Sequence, residues 1–366
     1  MLIEMKHEAM AAELNHRLVL TLYNTCGCNP FTGYGRVELG LAKGLQGRGV
    51  RLRLWPEAGG IVLVSGYATW LDAPHIADSR RWMMTMSETT LVSQKWVDVI
   101  NKKAERVLVP CPGLVDVYQQ SGVTVPVHYV PLGVDLFTPP TPPLPIPPHP
   151  YPSPQVEREK GEGGEQDTGN WKNGRFVFLT YSLGDLRKGA ELVIATFLRA
   201  FGGDDNYRLK IKARDGYNTW IAGLEHPQIT VVTGVQLSWD ELLARADCFV
   251  FPSRGEGFGL PPREATLAGV PTIATRWLGM WDVDQWGYPL GYTRMRLAEF
   301  DQYEANAEGA EYVEPDAVQL QSLMEQVAAD PASARMFAIR GREYLLANFT
   351  WDQTAQRIIA LAEEYA

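Results

Sequence analysis

Two glutamates, Glu256 and Glu264, stand eight positions apart in the part of the sequence best suited to chemistry. The apolar run 248–252 before them predicts a buried strand, and the glycines that follow let a loop approach a ligand closely. Residues 261–262 are prolines suited to the first turn of a helix, and Gly269 suits its C-terminal cap. The amides at such a helix start attract a diphosphate, while carboxylates accept hydrogen bonds from sugar hydroxyls. The segment therefore predicts a nucleotide-sugar site, the alternative being a helix cap without a ligand. The loop residues at this helix start are Gly257, Phe258, Gly259 and Leu260.

Two adjacent cations, Arg187 and Lys188, precede Gly189 at the predicted start of another helix. Cations at a helix N-terminus oppose the helix dipole, and a bound anion removes that conflict. The pair therefore predicts contacts with a diphosphate. The alternative interpretation is two solvated cations on the surface.

The elements that must position these residues form two separate α/β units, because strands alternate with helices in each. Residues 17–136 make the first unit and residues 173–350 the second, while residues 351–366 predict a docked helix. Residues 137–172 are proline-rich and polar, so they predict a mobile linker or insertion. The fold class is α/β, with two Rossmann-like parallel-sheet domains that face each other across a cleft where ligands bind. The predicted strands are 17–22, 50–54, 61–65, 82–86, 106–109, 127–130, 175–181, 208–213, 229–233 and 248–252, and helices are predicted at 91–103, 113–120 and 189–201.

The composition is that of a globular protein of two domains, with 366 residues, 45% apolar and 21% charged. No run of eighteen apolar residues is present, and residues 1–16 lack the apolar core of a signal peptide. We therefore expect a cytoplasmic protein with no integral membrane association.

Evidence for a metal site is weak at both places where the sequence offers one. Cys26 and Cys28 could supply half of a site, but no second pair completes it, so reduced thiols are expected. Asp282-Val283-Asp284 fits an Asp-x-Asp metal motif, yet it stands in a surface-like stretch and such tripeptides occur by chance.

Charge is unevenly distributed along the chain, although the net charge of −9 argues against general binding to polyanions. Residues 17–135 hold 12 Lys and Arg against 9 Asp and Glu, a net of +3, whereas residues 173–366 hold 18 against 26, a net of −8. Within the first unit, Arg80-Arg81-Trp82 suggests an anionic partner, and the alternative is an ordinary solvated surface.

The segment Pro252–Ala265 resembles the signature of retaining family-4-type glycosyltransferases of the GT-B fold. The resemblance implies that Glu264 holds the ribose of the donor nucleotide and that Glu256 lies by the transferred sugar. It also implies that Lys188 grips the diphosphate. The family's arginine five positions earlier is Leu183 here, and Arg187 is the candidate to replace it.

The first unit is similar to the same family at three places, Thr32–Arg36, Ser87–Thr90 and Val130–Asp135. The likeness extends over nearly the whole chain except residues 1–16 and 139–172. A Gly-x-Gly alone also suits a nicotinamide-binding fold, but the complete Gly-x-Gly-x-x-Gly is missing. The resemblance places Gly35 near the donor phosphate, Tyr34, Arg36 and Glu88 on the acceptor side, and Gly234 and Val235 near the nucleobase.

The implied reaction moves a sugar from a nucleotide-diphosphate sugar to a hydroxyl acceptor, with retention of the anomeric configuration and without a metal or other cofactor. The implied acceptor is a glycan or a lipid-linked saccharide, and a hydroxymethylated base in DNA is the alternative. A sugar-nucleotide-binding protein without turnover is the alternative from another functional class, and an epimerase of the same fold is a further one.

Overall fold

A computed structural model gives the architecture of the chain. It describes residues 18–24, 33–53, 55–135, 174–213, 220–221, 223–233, 238–298, 305 and 307–364. Two six-stranded parallel sheets with flanking helices form its framework, which confirms the predicted pair of Rossmann-like domains. The linker predicted at 137–172 and the cysteines Cys26 and Cys28 lie outside the described residues.

The first sheet has the strand order β2-β1-β3-β4-β5-β6, and all its strands are parallel. Its central strands are buried apolar runs, as a sheet covered on both faces requires. The elements of this domain are β1 (Val19–Asn24), α1 (Gly33–Gly47), β2 (Arg51–Arg53), β3 (Ile61–Ser65), β4 (Arg80–Met84), α2 (Gln94–Lys103), β5 (Arg106–Val109), α3 (Pro112–Gln120) and β6 (Val127–Tyr129).

The second sheet has the order β12-β11-β10-β7-β8-β9, also parallel throughout. The strand order reverses between β7 and β10, which is the topological switch point of this domain. Its elements are β7 (Phe176–Ser182), α4 (Ala190–Phe201), β8 (Tyr207–Ala213), β9 (Ile229–Val232), α5 (Trp239–Ala244), β10 (Cys248–Phe251), α6 (Leu260–Leu267), β11 (Thr272–Thr275), α7 (Val283–Trp286) and β12 (Tyr288–Leu290).

An antiparallel hairpin and three helices complete the chain. The hairpin of β13 (Tyr292–Leu297) and β14 (Glu311–Pro315) contacts the first domain, where the amide of Thr90 donates to the Glu311 oxygen at 3.0 Å. The helices that follow are α8 (Ala317–Ala329), α9 (Pro331–Asn348) and α10 (Trp351–Glu363).

The last helix, α10, packs against α1 of the first domain. Gly40 and Gly44 permit this contact: added β-carbons there would lie 1.9 Å from Trp351 Cε2 and 2.2 Å from the Trp351 carbonyl oxygen, respectively. The end of the chain therefore returns to the first domain. Among the described residues, no helix has both the length and the apolar character needed to cross a membrane.

Candidate active site

The loops that follow β7 and β10 form the candidate site. Neighbouring strands at a switch point send their connections to opposite faces of the sheet, which leaves a crevice between the two loops. The loop after β7 carries Arg187 and Lys188 in a single turn of 3₁₀ helix, which Asp185 caps. The loop after β10 carries Glu256. Gly189 lets the two loops touch, since it has a φ of 70° and an added β-carbon would lie 2.3 Å from the Pro252 oxygen.

One oxygen of Glu256 receives three hydrogen bonds. Lys188 Nζ lies 2.5 Å from Oε1, Ser253 Oγ donates to it at 2.6 Å, and Arg187 Nη1 donates at 3.0 Å. Arg187 and Lys188 are 3% and 5% exposed, so they are not the two solvated cations of the alternative interpretation. Leu183, which precedes them in the chain, is half-buried and carries no charge. Arg187 supplies the second cation at the Glu256 carboxylate.

The charges of this cluster set the protonation of Glu256. Burial alone would raise the pKa of its carboxyl, but the Lys188 ammonium and the Arg187 guanidinium lower the pKa below its usual value. Burial and the neighbouring Arg187 lower the pKa of Lys188. The site therefore holds an ionised carboxylate against two buried cations, an arrangement that suits a diphosphate nearby.

Glu264 lies in α6 and is 1% exposed. Its Oε1 accepts a hydrogen bond from Arg36 Nη2 of the first domain. Its Oε2 is buried and has no hydrogen-bond partner within the described part of the chain. The resemblance placed Arg36 on the acceptor side, whereas the structure places it on the carboxylate expected to hold the donor ribose.

The glycines of the loop after β10 bring the two domains together. An added β-carbon at Gly255 would lie 2.0 Å from the main-chain oxygen of Glu88, and one at Gly257 would lie 2.4 Å from Met86 Cβ. The sequence predicted that these glycines admit a ligand; in the structure they admit the loop after β4. Gly259, at a φ of 77°, begins α6, while Phe258 and Leu260 lie beside it, buried and half-buried respectively.

Tyr34 and Glu88 lie on the first-domain side of this contact. Tyr34 Oη is 3.5 Å from Thr85 Oγ1, and its ring centroid is 6.2 Å from that of Tyr67. Burial and the charge of Glu88 both raise the pKa of Tyr34. Glu88 is half-buried; burial raises its pKa while Arg187 of the second domain lowers it, so these groups face each other. Gly35 is buried next to Tyr34 in α1.

Arg263 is a supporting residue that the sequence analysis missed. It is 0% exposed, donates to the Phe258 oxygen, and lies 2.5 Å from Asp282 Oδ1. Its guanidinium is 4.1 Å from the ring centroid of Phe258 and 5.0 Å from that of Trp286. The signal for it in the sequence is a cation one position before Glu264, in a helix otherwise poor in charge.

The expectation that Asp282 belongs to a surface-like stretch is wrong. Asp282 is 5% exposed and Trp286 is completely buried, because the Arg263 charge and the surrounding rings enclose both. Asp284, by contrast, lies at a partly exposed position and pairs with Arg276 at 3.5 Å. Among the described residues no group of three His, Cys, Asp or Glu side chains could hold a metal ion.

Gly234 and Val235, expected near the nucleobase, lie outside the described residues. The other sequence-predicted residues come together at the junction of the two domains. Glu256, Lys188 and Arg187 form one group, Glu264 and Arg36 a second, and Tyr34 and Glu88 a third.

Comparisons with known proteins give a family match for part of the chain and a shared fold. Residues 177–291, which hold Lys188, Glu256 and Glu264, match the family model described as "Glycosyl transferases group 1". No curated protein sequence matches the chain.

Solved structures show the same fold. Sucrose-phosphate synthase from Thermosynechococcus elongatus has a TM-score of 0.65 at 17% identity, with 95% of this chain and 99% of that chain covered. Trehalose 6-phosphate synthase from Burkholderia multivorans has a TM-score of 0.57 at 11% identity, with 91% and 77% covered. TarM of S. aureus has a TM-score of 0.57 at 12% identity, and the match covers 89% of this chain but 58% of that one. Residues 177–291 of the second domain therefore match the glycosyl transferases group 1 family, within a chain that has the two-domain GT-B fold.

Proposed function

We propose that the chain is a retaining glycosyltransferase that moves a sugar from a nucleotide-diphosphate sugar to a hydroxyl of a glycan or lipid-linked saccharide. The observation that carries this proposal is a pair of buried carboxylates. Glu256, in the loop after β10, contacts two cations, and Glu264, in α6, has one oxygen without a hydrogen-bond partner among the described residues. A buried carboxylate oxygen without a hydrogen bond is costly, so a ligand hydroxyl at Glu264 would stabilise it.

The donor would lie along the second domain. Glu264 Oε2 would accept a hydrogen bond from the nucleotide ribose, and the amides at the start of α6 would face the diphosphate. Lys188 and Arg187, already at Glu256, would offset the charge that develops on the departing diphosphate.

The reaction would proceed by attack on the same face as the leaving group. The bond between the anomeric carbon and the phosphate oxygen breaks, the bond to the acceptor oxygen forms, and the acceptor proton passes to the departing phosphate. The domain contact at Gly255 and Glu88 supports this route, since a closed cleft excludes water and limits donor hydrolysis.

The acceptor would enter on the side of Tyr34 and Glu88, where the Glu88 carboxyl faces Glu256 and Tyr34 lies near Glu88. Aromatic faces and carboxylates are suited to sugar rings and their hydroxyls. Related structures support such a pairing: TarM was solved with α-GlcNAc-glycerol and UDP, and the pneumococcal O-GlcNAc transferase GtfA with UDP and GlcNAc.

The cluster that suggested DNA does not strengthen that alternative. Arg80 Nη2 pairs with Glu105 at 3.0 Å, Arg81 donates to the main-chain oxygens of Leu71 and Ala77, and Trp82 is completely buried. The expectation of an ordinary solvated surface is therefore wrong for Trp82, and both arginines have protein partners.

The first experiment is calorimetric titration of UDP, GDP and ADP into the wild-type protein, Glu264→Ala and the control Glu343→Ala. Glu343 is an exposed glutamate of the same domain. We expect one nucleotide to bind, with affinity lower by about ten- to hundredfold in Glu264→Ala and unchanged in the control. The absence of binding by any of the three to the wild type would contradict a nucleotide-sugar donor.

Product analysis addresses the reaction itself. NMR of the product should show the donor's anomeric configuration, and an inverted linkage would contradict retention. Incubation with the donor alone separates the alternatives, since an epimerase alters the sugar without an acceptor and a binding protein leaves it unchanged.

A further inference from the structure

The hydrogen bond between Arg36 and Glu264 joins the two domains at the carboxylate assigned to the donor. We propose that Arg36 is a positioning residue for the nucleotide. It holds Oε1 of Glu264, so that Oε2 is left to accept a ribose hydroxyl. The inference rests on the proposed function, and it adds that donor binding depends on a side chain of the first domain.

The two side chains are 228 positions apart in sequence and come from the first turn of α1 and the middle of α6. The side chain of Glu264 is 2% exposed and that of Arg36 is 18% exposed. An ionised carboxylate has acceptor capacity on both oxygens. Here the described residues satisfy one oxygen and leave the other, Oε2, buried without a partner.

Other charges keep Arg36 at this junction. Burial lowers the pKa of its guanidinium, while Asp135 at the end of the first domain and Asp240 in α5 act in the opposite direction. Arg36 thus faces acidic groups from both domains in addition to Glu264. If a ribose displaced it, the buried Glu264 carboxylate would lose its compensating cation, which is strongly unfavourable. A ribose hydroxyl at Oε2 requires no such displacement.

This arrangement couples nucleotide binding to the closed domain arrangement. Arg36 reaches Glu264 only while the start of α1 lies against α6. A nucleotide that binds the positioned carboxylate therefore favours the closed state, since a ligand shifts a conformational equilibrium by its differential affinity.

The test is a double-mutant cycle read by calorimetry with whichever of UDP, GDP and ADP the wild type binds. Arg36→Ala and Glu264→Ala should each weaken binding by at least about tenfold, and the double variant should be no weaker than Glu264→Ala alone. Arg36→Lys keeps the charge, so it should bind the nucleotide more tightly than Arg36→Ala does. In the Glu264→Ala background, the Lys and Ala substitutions of Arg36 should give the same affinity. A residue that only supports folding would not give this pattern.

Arg48→Ala is the matched control. Arg48 also extends from the end of α1 to a distant segment, pairing with Asp352 at 2.6 Å, but on the exposed side of the molecule. Its removal should leave nucleotide affinity unchanged. Thermal unfolding of every variant shows whether the folded state is retained, and Arg36→Lys takes the place of Arg36→Ala if the latter does not fold.

The outcomes separate the inference from the proposed function. If no nucleotide binds the wild type, both are overturned. If Glu264→Ala weakens binding and the Arg36 variants do not, or if the two losses add, the positioning role is overturned while the donor site stands. Tighter binding by Arg36→Ala would show that Arg36 competes with the ribose, which also overturns the proposal.

Discussion

Arg263 Nη2 lies 2.5 Å from Asp282 Oδ1 in a fully buried ion pair behind the candidate donor loop. The same guanidinium donates to the main-chain oxygen of Phe258, next to Gly259 and the start of α6. Asp282 therefore acts on the site through Arg263, which it holds against the loop.

Asp282→Ala should destabilise the protein, because it leaves the Arg263 charge buried and uncompensated. The expected loss in free energy of unfolding is about 3–5 kcal/mol, measured by chemical denaturation. Asp284→Ala is the control: its pair with Arg276 is partly exposed, so the expected loss is within about 1 kcal/mol. Equal losses in the two variants would refute a structural role specific to Asp282.

Gly255→Ala should impair turnover more than folding. The added β-carbon meets the Glu88 main-chain oxygen at 2.0 Å, so the loop after β10 and the loop after β4 must move apart. A displacement of this kind can lower turnover on the order of 10²-fold. Steady-state kinetics with a sugar donor that carries the nucleotide identified by the titration measures the loss.

The control for that variant is Gly47→Ala at the end of α1, where an added β-carbon has nothing within 4 Å. Its stability should change by no more than about 1 kcal/mol and its turnover should match the wild type. Full turnover by Gly255→Ala would show that the close contact between the loops is not needed for the reaction.

Lys188→Met should lower the turnover number while the protein stays folded. The substitution removes the cation 2.5 Å from Glu256, and loss of one preorganised donor at a developing charge costs about 10²–10³-fold in rate. Lys210→Met is the control, since Lys210 is also a buried lysine of the second domain but lies 3.0 Å from Thr230 on the sheet. Both variants should lose stability, and only Lys188→Met should lose turnover per folded molecule.

The sequence indicated the fold well because parallel strands covered on both faces are apolar runs, such as Cys248–Phe251. The start and end of α6 were also predictable, since prolines and Gly269, at a φ of 79°, mark them locally. One strand was predicted two residues too late, at 82–86. The β4 strand starts at Arg80, where its pairing with Ile61 of β3 begins, and Glu105 of the neighbouring segment pairs with that arginine.

The partners of the site residues could not be predicted, because they depend on how distant segments pack. Nothing near Glu264 in sequence indicates that Arg36 holds it, and nothing near Asp282 indicates burial against Arg263. The β13–β14 hairpin was also missed, since the alternation in β13 is short, only Arg294 to Leu297, and its residues are exposed or half-buried.

The carboxyls of Glu88 and Glu256, which face each other across the domain contact, should give opposite pH effects on stability. Burial raises the pKa of Glu88 above its ordinary value of 4.5, since the lowering effect of Arg187 and Lys188 does not offset it fully. As pH rises from 4.5 to that raised pKa, the unfolded state loses its proton before the folded state, so Glu88 makes the wild type progressively less stable. Glu88→Gln should therefore gain stability relative to the wild type across this range.

Glu256 has the reverse sign. Burial raises its pKa, but the charges of Lys188 and Arg187 outweigh burial and hold the pKa below 4.5. The ionised Glu256 carboxyl stabilises the folded state fully above pH 4.5, and this stabilisation is lost as the pH falls through the lowered folded-state pKa. Glu256→Gln should therefore be less stable than the wild type above pH 4.5, and the difference should shrink in acid. Chemical denaturation of the three proteins at a series of pH values on both sides of 4.5 measures the differences. If the free energies of unfolding of the two variants, relative to the wild type, changed in the same direction with pH, the opposed charge environments would be contradicted. Neutralisation stabilises the folded state only where folding raises the pKa of the carboxyl.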